Sequence, residues 1–312
     1  MEKSREDEYV IRDGFKYLSA EAQADFVKKT VPGAFDTNKV KNRILDIQYG
    51  TLPEQKLDLY LPEGKDGPYP VLIHVHGGGW MFGSKTECFL EPLLEARRYG
   101  YAVISVDYRL FPAVQFPENL FDVKTAIRWT RANAERYNLD ASKIGMIGDS
   151  AGGHLSLMAG FTSGHPEYAG AQYGWGEYSD EVQAVCDLFG PAVLDDFADT
   201  FFRESGVPRV QFADGMDMIA LAFGQDKNLL KLISPVSYIS ASIPPTLILQ
   251  GKMDGIVAYQ NSTLLYERIV EVCGEGKAEL LLYEDRVHED PAFYENGALC
   301  KAVIPFFDRY LK

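Results

Sequence analysis

Six short apolar runs constrain this chain most: "VLIHV" (71–75), "YAVISV" (101–106), "KIGMIG" (143–148), "VQAVCDLF" (182–189), "PTLILQ" (245–250) and "AELLLY" (278–283). Each is almost unbroken rather than alternating. A strand of that kind has both faces covered, which is the condition of a parallel sheet with helices on either side. Two earlier stretches, "ILDIQYG" (44–50) and "KLDLYLP" (56–62), alternate apolar with polar and are joined across Gly50 and Pro53. They predict a half-buried antiparallel edge. Together the runs predict a mostly parallel, eight-stranded sheet.

Helical patterns fill the gaps between the runs. Leu120, Val123, Ile127, Thr130 and Ala134 recur at spacings of three and four, laying one stripe along a helix over 117–137. Pro117 suits its first turn and Asn138 its end. Stretches 88–98, 152–161, 258–272 and 293–311 also read as helices. Strand–helix alternation predicts an α/β fold, and residues 1–312 are expected to form one domain. One region breaks the rhythm: residues 191–240 hold no clear strand. An insertion of that length is expected to form a lid or a substrate-binding element.

Charge narrows the partners. With 31 basic against 45 acidic residues the net charge is −14, and the basic residues are scattered. Nucleic acid and anionic membranes both call for a basic face. The first residues, "MEKSREDEYVIRDG", carry no apolar stretch, and no run approaches a membrane span. Cys88, Cys186, Cys273 and Cys300 are far apart and read as reduced thiols. A cytoplasmic protein acting on a small molecule is expected. Nothing bears on oligomeric state.

The chemistry begins at "GDSAG", Gly148 to Gly152, between a buried run and a helical pattern. G-x-S-x-G in a strand–turn–helix context puts a nucleophile on a sharp turn where bulky neighbours would clash. Ser150 is therefore the candidate nucleophile. Its hydroxyl needs a base, and the chain has five histidines: His74, His76, His154, His165 and His288. His74 and His76 belong to a strand. His154 lies about one helical turn after Ser150 and His165 in a loop soon after. His288 follows the last predicted strand, at the sheet end where ligands gather, and is the candidate base.

The base needs a carboxylate to orient it. Asp254 follows the penultimate strand, and the order Ser150, Asp254, His288 matches that expected for such a site. Asp195 and Asp196 are rivals for the role, whereas Asp285 and Asp290 are too near His288 in the chain. Gly77, Gly78 and Gly79 follow the third strand. Backbone N–H groups without a Cβ beside them can approach a reacting carbonyl, and with the Ala151 N–H they would form an oxyanion hole. Which two of the three glycines contribute is left open. "GGGWMFGSK" misses the phosphate-loop spacing, since Gly79 to Gly83 is one residue short and serine precedes lysine. No dinucleotide fingerprint follows a strand. His74 and His76 share one strand face, but no cysteine or carboxylate cluster is expected with them, so no metal site is predicted.

"HGGGW", "DYRL", "FPENLFDVKTAIRWTRANAERYNLD", "GDSAGGHL", "SPVSYI", "PPTLILQGKMDGIV" and "VHEDPAF" occur in order from residue 76 to 293. With them the chain resembles α/β-hydrolase esterases of the hormone-sensitive-lipase-like group, and among these the bacterial feruloyl and acetyl esterase branch. The resemblance implies an α/β-hydrolase fold, a Ser150–His288–Asp254 triad, an oxyanion hole from the glycine loop and Ala151, and no cofactor. It implies a serine carboxylesterase acting through an acyl-enzyme on short-chain or aromatic acyl esters, acetyl and feruloyl groups on carbohydrates among them. An amidase or formamidase on the same machinery is the alternative, and a non-catalytic receptor on this scaffold a further one. Trp80, Phe82 and Trp175, with Tyr178, Phe201 and Phe202, are candidate pocket aromatics. Two departures from the family pattern stand out: Gln250 replaces a histidine before Gly251, and Val287 replaces a glycine before His288.

Overall fold

The computed structural model describes residues 9–12, 15–18, 34–64, 66–194, 201, 204, 207, 218–224 and 226–312. Asp195, Asp196, Phe202 and much of the 191–240 insertion lie outside the described residues. An antiparallel hairpin, β1 (Tyr9–Arg12) and β2 (Phe15–Leu18), comes first. The main sheet follows with β3 (Arg43–Gln48), β4 (Lys56–Tyr60), β5 (Tyr69–Val75), β6 (Ala102–Val106), β7 (Leu139–Asp149), β8 (Ala184–Leu188), β9 (Thr246–Gly251) and β10 (Ala278–Tyr283). Its order is β10-β9-β8-β7-β5-β6-β4-β3, with eight strands as predicted. β4 pairs antiparallel with both β3 and β6, and every other pairing is parallel.

Continuous apolar runs arise because each strand feeds two cores. In β5, Val71, Ile73 and Val75 enter one cluster while Leu72 enters the other. In β7, Ile144 and Met146 face the first cluster and Ile147 the second. This is the period-two alternation of a strand with both faces covered. Helices α2 (Glu118–Ala132), α4 (Ala151–Phe161) and α7 (Gln260–Cys273) cover the first face through Leu120, Val123, Ile127, Leu155, Met158, Leu265 and Ile269. Helices α1 (Leu90–Leu93) and α8 (Ala298–Leu311) cover the second through Leu90, Leu93, Leu299, Val303 and Phe307.

Local chemistry sets the boundaries. The 117–137 pattern divides at Asn133 into α2 and the short α3 (Ala134–Tyr137), which Asn138 closes at φ 55°. Asparagine tolerates that left-handed conformation better than most residues. The 88–98 pattern forms only four α-helical residues before tightening into a 3₁₀ helix that ends at Gly100. The last helix starts at Ala298 rather than 293, because Asn296 at φ 55° interrupts the turn before it. Within the insertion, α5 (Met218–Phe223) and α6 (Lys227–Leu232) are described, and Ile219, Ala222 and Phe223 are buried.

The chain runs from β5 to β6 on one side, then crosses back to place β7 on the other side of β5. Loops leaving β5 and β7 therefore diverge at a topological switch point, where a crevice forms.

Candidate active site

Ser150 occupies the turn between β7 and α4, with φ 51° and ψ −119°. That is strained for a residue with a side chain, and its neighbours account for it. A Cβ on Gly152 would lie 2.0 Å from Val75 O and 2.5 Å from His76 O, and one on Gly148 would lie 2.3 Å from Gly152 O. Glycine at both positions lets α4 seat directly against the end of β5. The Ser150 N–H donates to Leu188 O at 2.8 Å, which pins the turn to β8. Ser150 also stands at the N-terminal, positive end of α4, its side chain turned to His288 rather than to the helix N–H groups.

The candidate base and acid come from the neighbouring strand ends. β9 and β10 run parallel with Gly251 opposite Tyr283. Beyond them the Lys252 N–H donates to Tyr283 O at 2.8 Å and the Met253 N–H to Arg286 O at 3.0 Å. These bonds hold the two loops side by side. His288 Nδ1 then lies 2.7 Å from Asp254 Oδ2, and His288 Nε2 lies 2.9 Å from Ser150 Oγ. Asp254 Oδ1 accepts the N–H groups of Ile256 and Val257, both at 2.8 Å. Oδ2 also accepts from Gln250 Nε2 at 2.9 Å. The structure thus brings Ser150, His288 and Asp254 together.

Burial alone would lower the His288 pKa. Asp254, as a charge and a hydrogen-bond acceptor, outweighs it with help from Glu289 and Asp149, and the net shift is upward. The Phe189 ring meets the imidazole edge-on at 4.8 Å. Glu289, next in the chain and at φ 53°, is pushed up to about 7 by burial, with Asp149 and Asp254 adding to the shift and His288 opposing it.

The glycine loop lies against the turn that carries Ser150. A Cβ on Gly77 would meet Asp149 Oδ2 at 2.4 Å, and Gly78 and Gly79 have φ 96° and 59°. Gly78 O accepts from the N–H groups of Met81 at 3.1 Å and Phe82 at 3.0 Å, folding the loop into a tight turn. Ala151 opens α4, where a helix leaves its first N–H groups without intrahelical partners.

The other histidines are engaged elsewhere. His76 stacks on Tyr108 at 4.3 Å, and burial drives its pKa down to about 4. His154 accepts from the Trp80 indole N–H at 3.1 Å and donates through Nε2 to Ile233 O at 2.7 Å. His165 packs against Tyr168 and Tyr238.

His74 corrects an expectation. Carboxylates do accompany it: Glu87 Oε1 lies 3.4 Å and Asp149 Oδ1 3.6 Å from His74 Nε2, and all three side chains are buried. The turn after β5 brings Glu87 back over its own strand, while Asp149 arrives from adjacent β7. Burial and the neighbouring Asp149 push the Glu87 carboxyl well above the usual range. Burial of two carboxyl groups this close favours the uncharged form of Glu87.

Among the proposed pocket aromatics, Trp80 is 3% exposed and packs edge-on against His154 and against Phe223 of α5. Phe82 is buried in the glycine turn. Trp175 donates its indole N–H to Tyr49 O at 2.7 Å, so it belongs with the turn after β3.

A family model described as BD-FAE matches residues 57–269. The chain belongs to the BD-FAE family. The fold of this BD-FAE member is that of α/β-hydrolase esterases. Its curated relatives include Esterase LipC of Mycobacterium tuberculosis, 32% identical over 72% of this chain and 54% of that protein. They also include an isoprenylcysteine alpha-carbonyl methylesterase of Arabidopsis thaliana, 30% identical over 78% of this chain and 56% of that protein. The chain spans about half the length of the curated relatives it matches. Among solved structures, a truncated carbohydrate esterase from gut microbiota superposes with a TM-score of 0.73 and 26% identity, covering 89% of this chain and 99% of that one. The placement agrees with the resemblance read from "HGGGW" and "GDSAGGHL". Among the described residues no helix is long and apolar enough to cross a membrane, and the four cysteines are free.

Proposed function

We propose that this BD-FAE protein is a serine carboxylic-ester hydrolase. One observation carries the reading: an unbroken hydrogen-bonded line runs from Ser150 Oγ through both His288 nitrogens to Asp254 Oδ2. Neutral His288 takes the Ser150 proton as Oγ attacks the ester carbonyl. N–H groups of the glycine loop, Gly77 to Gly79, and of Ala151 receive the oxyanion. The alcohol leaves with the proton from His288. Water then attacks the acyl carbon as His288 takes its proton, the bond to Ser150 Oγ breaks with His288 returning that proton to Oγ, and the acid is released. Asp254 keeps His288 in the tautomer with hydrogen on Nδ1 and stabilises the imidazolium.

For substrates we propose short-chain or aromatic acyl esters, acetyl and feruloyl esters of carbohydrates included. The carbohydrate-esterase neighbour supports this choice. We read the insertion as a lid or substrate-binding element; its described part brings Phe223 against Trp80 beside the glycine loop. Hydrolysis of a p-nitrophenyl ester series, of acetylated and feruloylated oligosaccharides, and of N-formyl anilides tests the assignment. Ester cleavage that vanishes in Ser150→Ala is expected. Cleavage of the anilides alone would assign an amidase instead, and no turnover of either class would leave the receptor reading.

A further inference from the structure

We infer that Gln250 is a positioning residue for the acid of this site: its side-chain amide holds Asp254 Oδ2 in line with His288. The inference rests on the triad reading above.

Gln250 lies one residue before the end of β9 and is fully buried. Its Nε2 faces three oxygens: Asp254 Oδ2 at 2.9 Å, Gly251 O at 3.1 Å and Val257 O at 3.3 Å. All three can only accept. A flipped amide would aim its own oxygen at them, so one orientation alone is satisfied. The Ser262 hydroxyl, from α7, donates to Oε1 at 3.0 Å and fixes the other end.

Asp254 is the partner this arrangement serves. A carboxylate has about four lone-pair sites, and here each oxygen takes two donors. Oδ1 takes the Ile256 and Val257 N–H groups; Oδ2 takes His288 Nδ1 and Gln250 Nε2. Without Gln250, Oδ2 would keep His288 alone and could rotate off the imidazole axis. Gln250 also stands where the family resemblance leads one to expect histidine. A glutamine offers a similar donor yet never ionises. The largest charge effects on His288 are then those of Asp254, Glu289 and Asp149.

Gln250→Leu removes the donor at nearly constant volume. With p-nitrophenyl acetate, kcat is expected to fall about tenfold with KM little changed, the loss of one charge-assisted hydrogen bond. Losing the donor also leaves fuller negative charge on Oδ2, so the acid limb of kcat/KM should move up by about 0.3 pH units. Gln250→His, which restores a donor, should recover most of kcat. A kcat reduced only in proportion to the folded fraction, with an unmoved acid limb, overturns the inference. If the leucine variant does not fold, Gln250→Met keeps the length and unbranched shape without a donor, and wild-type kcat with an unmoved acid limb in that variant would overturn it equally. Asp254→Asn separates the two readings. If it stays active, the triad reading falls. If it is inactive while Gln250→Leu matches wild type, only the role of Gln250 falls.

Discussion

His288 Nε2 lies 2.9 Å from Ser150 Oγ although 138 residues separate the two in the chain. The contact exists because β7 and β10 deliver their loops to the same edge of one parallel sheet. Ser150→Ala removes the hydroxyl and leaves the sheet untouched. Ester turnover should fall by at least about 10³-fold, with the thermal midpoint shifted by no more than about 3 °C. Activity assays paired with melting curves check this, and a folded variant that turns over normally would remove Ser150 from the mechanism.

Asp254→Asn presents an amide to His288 Nδ1 in place of a carboxylate and favours the wrong tautomer. The expected loss in kcat is about 10⁴-fold with the fold intact. Steady-state kinetics decide the matter: a loss confined to KM would mean that Asp254 binds substrate rather than orients the base.

The upward shift of His288 has a definite sign. The base must be neutral, so kcat/KM should rise with pH through a midpoint above 6.5, the ordinary imidazole value. Glu289 adds negative charge that favours the imidazolium. Replacing it in Glu289→Gln should therefore move the acid limb to lower pH. A pH–rate profile that moved upward, or stayed fixed, would contradict the proximity of these two groups.

Gly152→Ala would drive a methyl group to within 2.0 Å of Val75 O. Neither the strand end nor the helix start can yield easily, so the cost should reach about 3 kcal/mol or more. Urea denaturation measures it. A variant as stable as the parent would show that α4 does not approach β5 this closely.

The sheet was legible from sequence because burial on both faces writes itself into unbroken apolar runs; all eight main-sheet strands overlap such runs or the two alternating ones. Ser150, Asp254 and His288 were legible because strand ends carry them in a characteristic order. The hairpin of β1 and β2 was not, since four-residue strands with mixed polarity leave no periodic signal. Glu87 was missed for another reason. Its neighbours Asp149 and His74 come from two different strands, and no local spacing reports such a meeting. Gln250 showed in the sequence only as a departure from the family pattern, and its four hydrogen bonds depend on α7 and the acid loop arriving together.

Trp80 has a consequence beyond its packing against Phe223. Its indole N–H can only donate, so His154 Nδ1 must accept and Nε2 must carry the hydrogen that Ile233 O receives. Burial keeps this imidazole neutral by lowering its pKa to about 4. The end of the glycine loop, α4 and the segment around Ile233 are therefore latched by two protons inside the protein. Those protons exchange with solvent only when the latch opens. The Trp80 indole resonance thus becomes a clock for how often this side of the crevice comes apart.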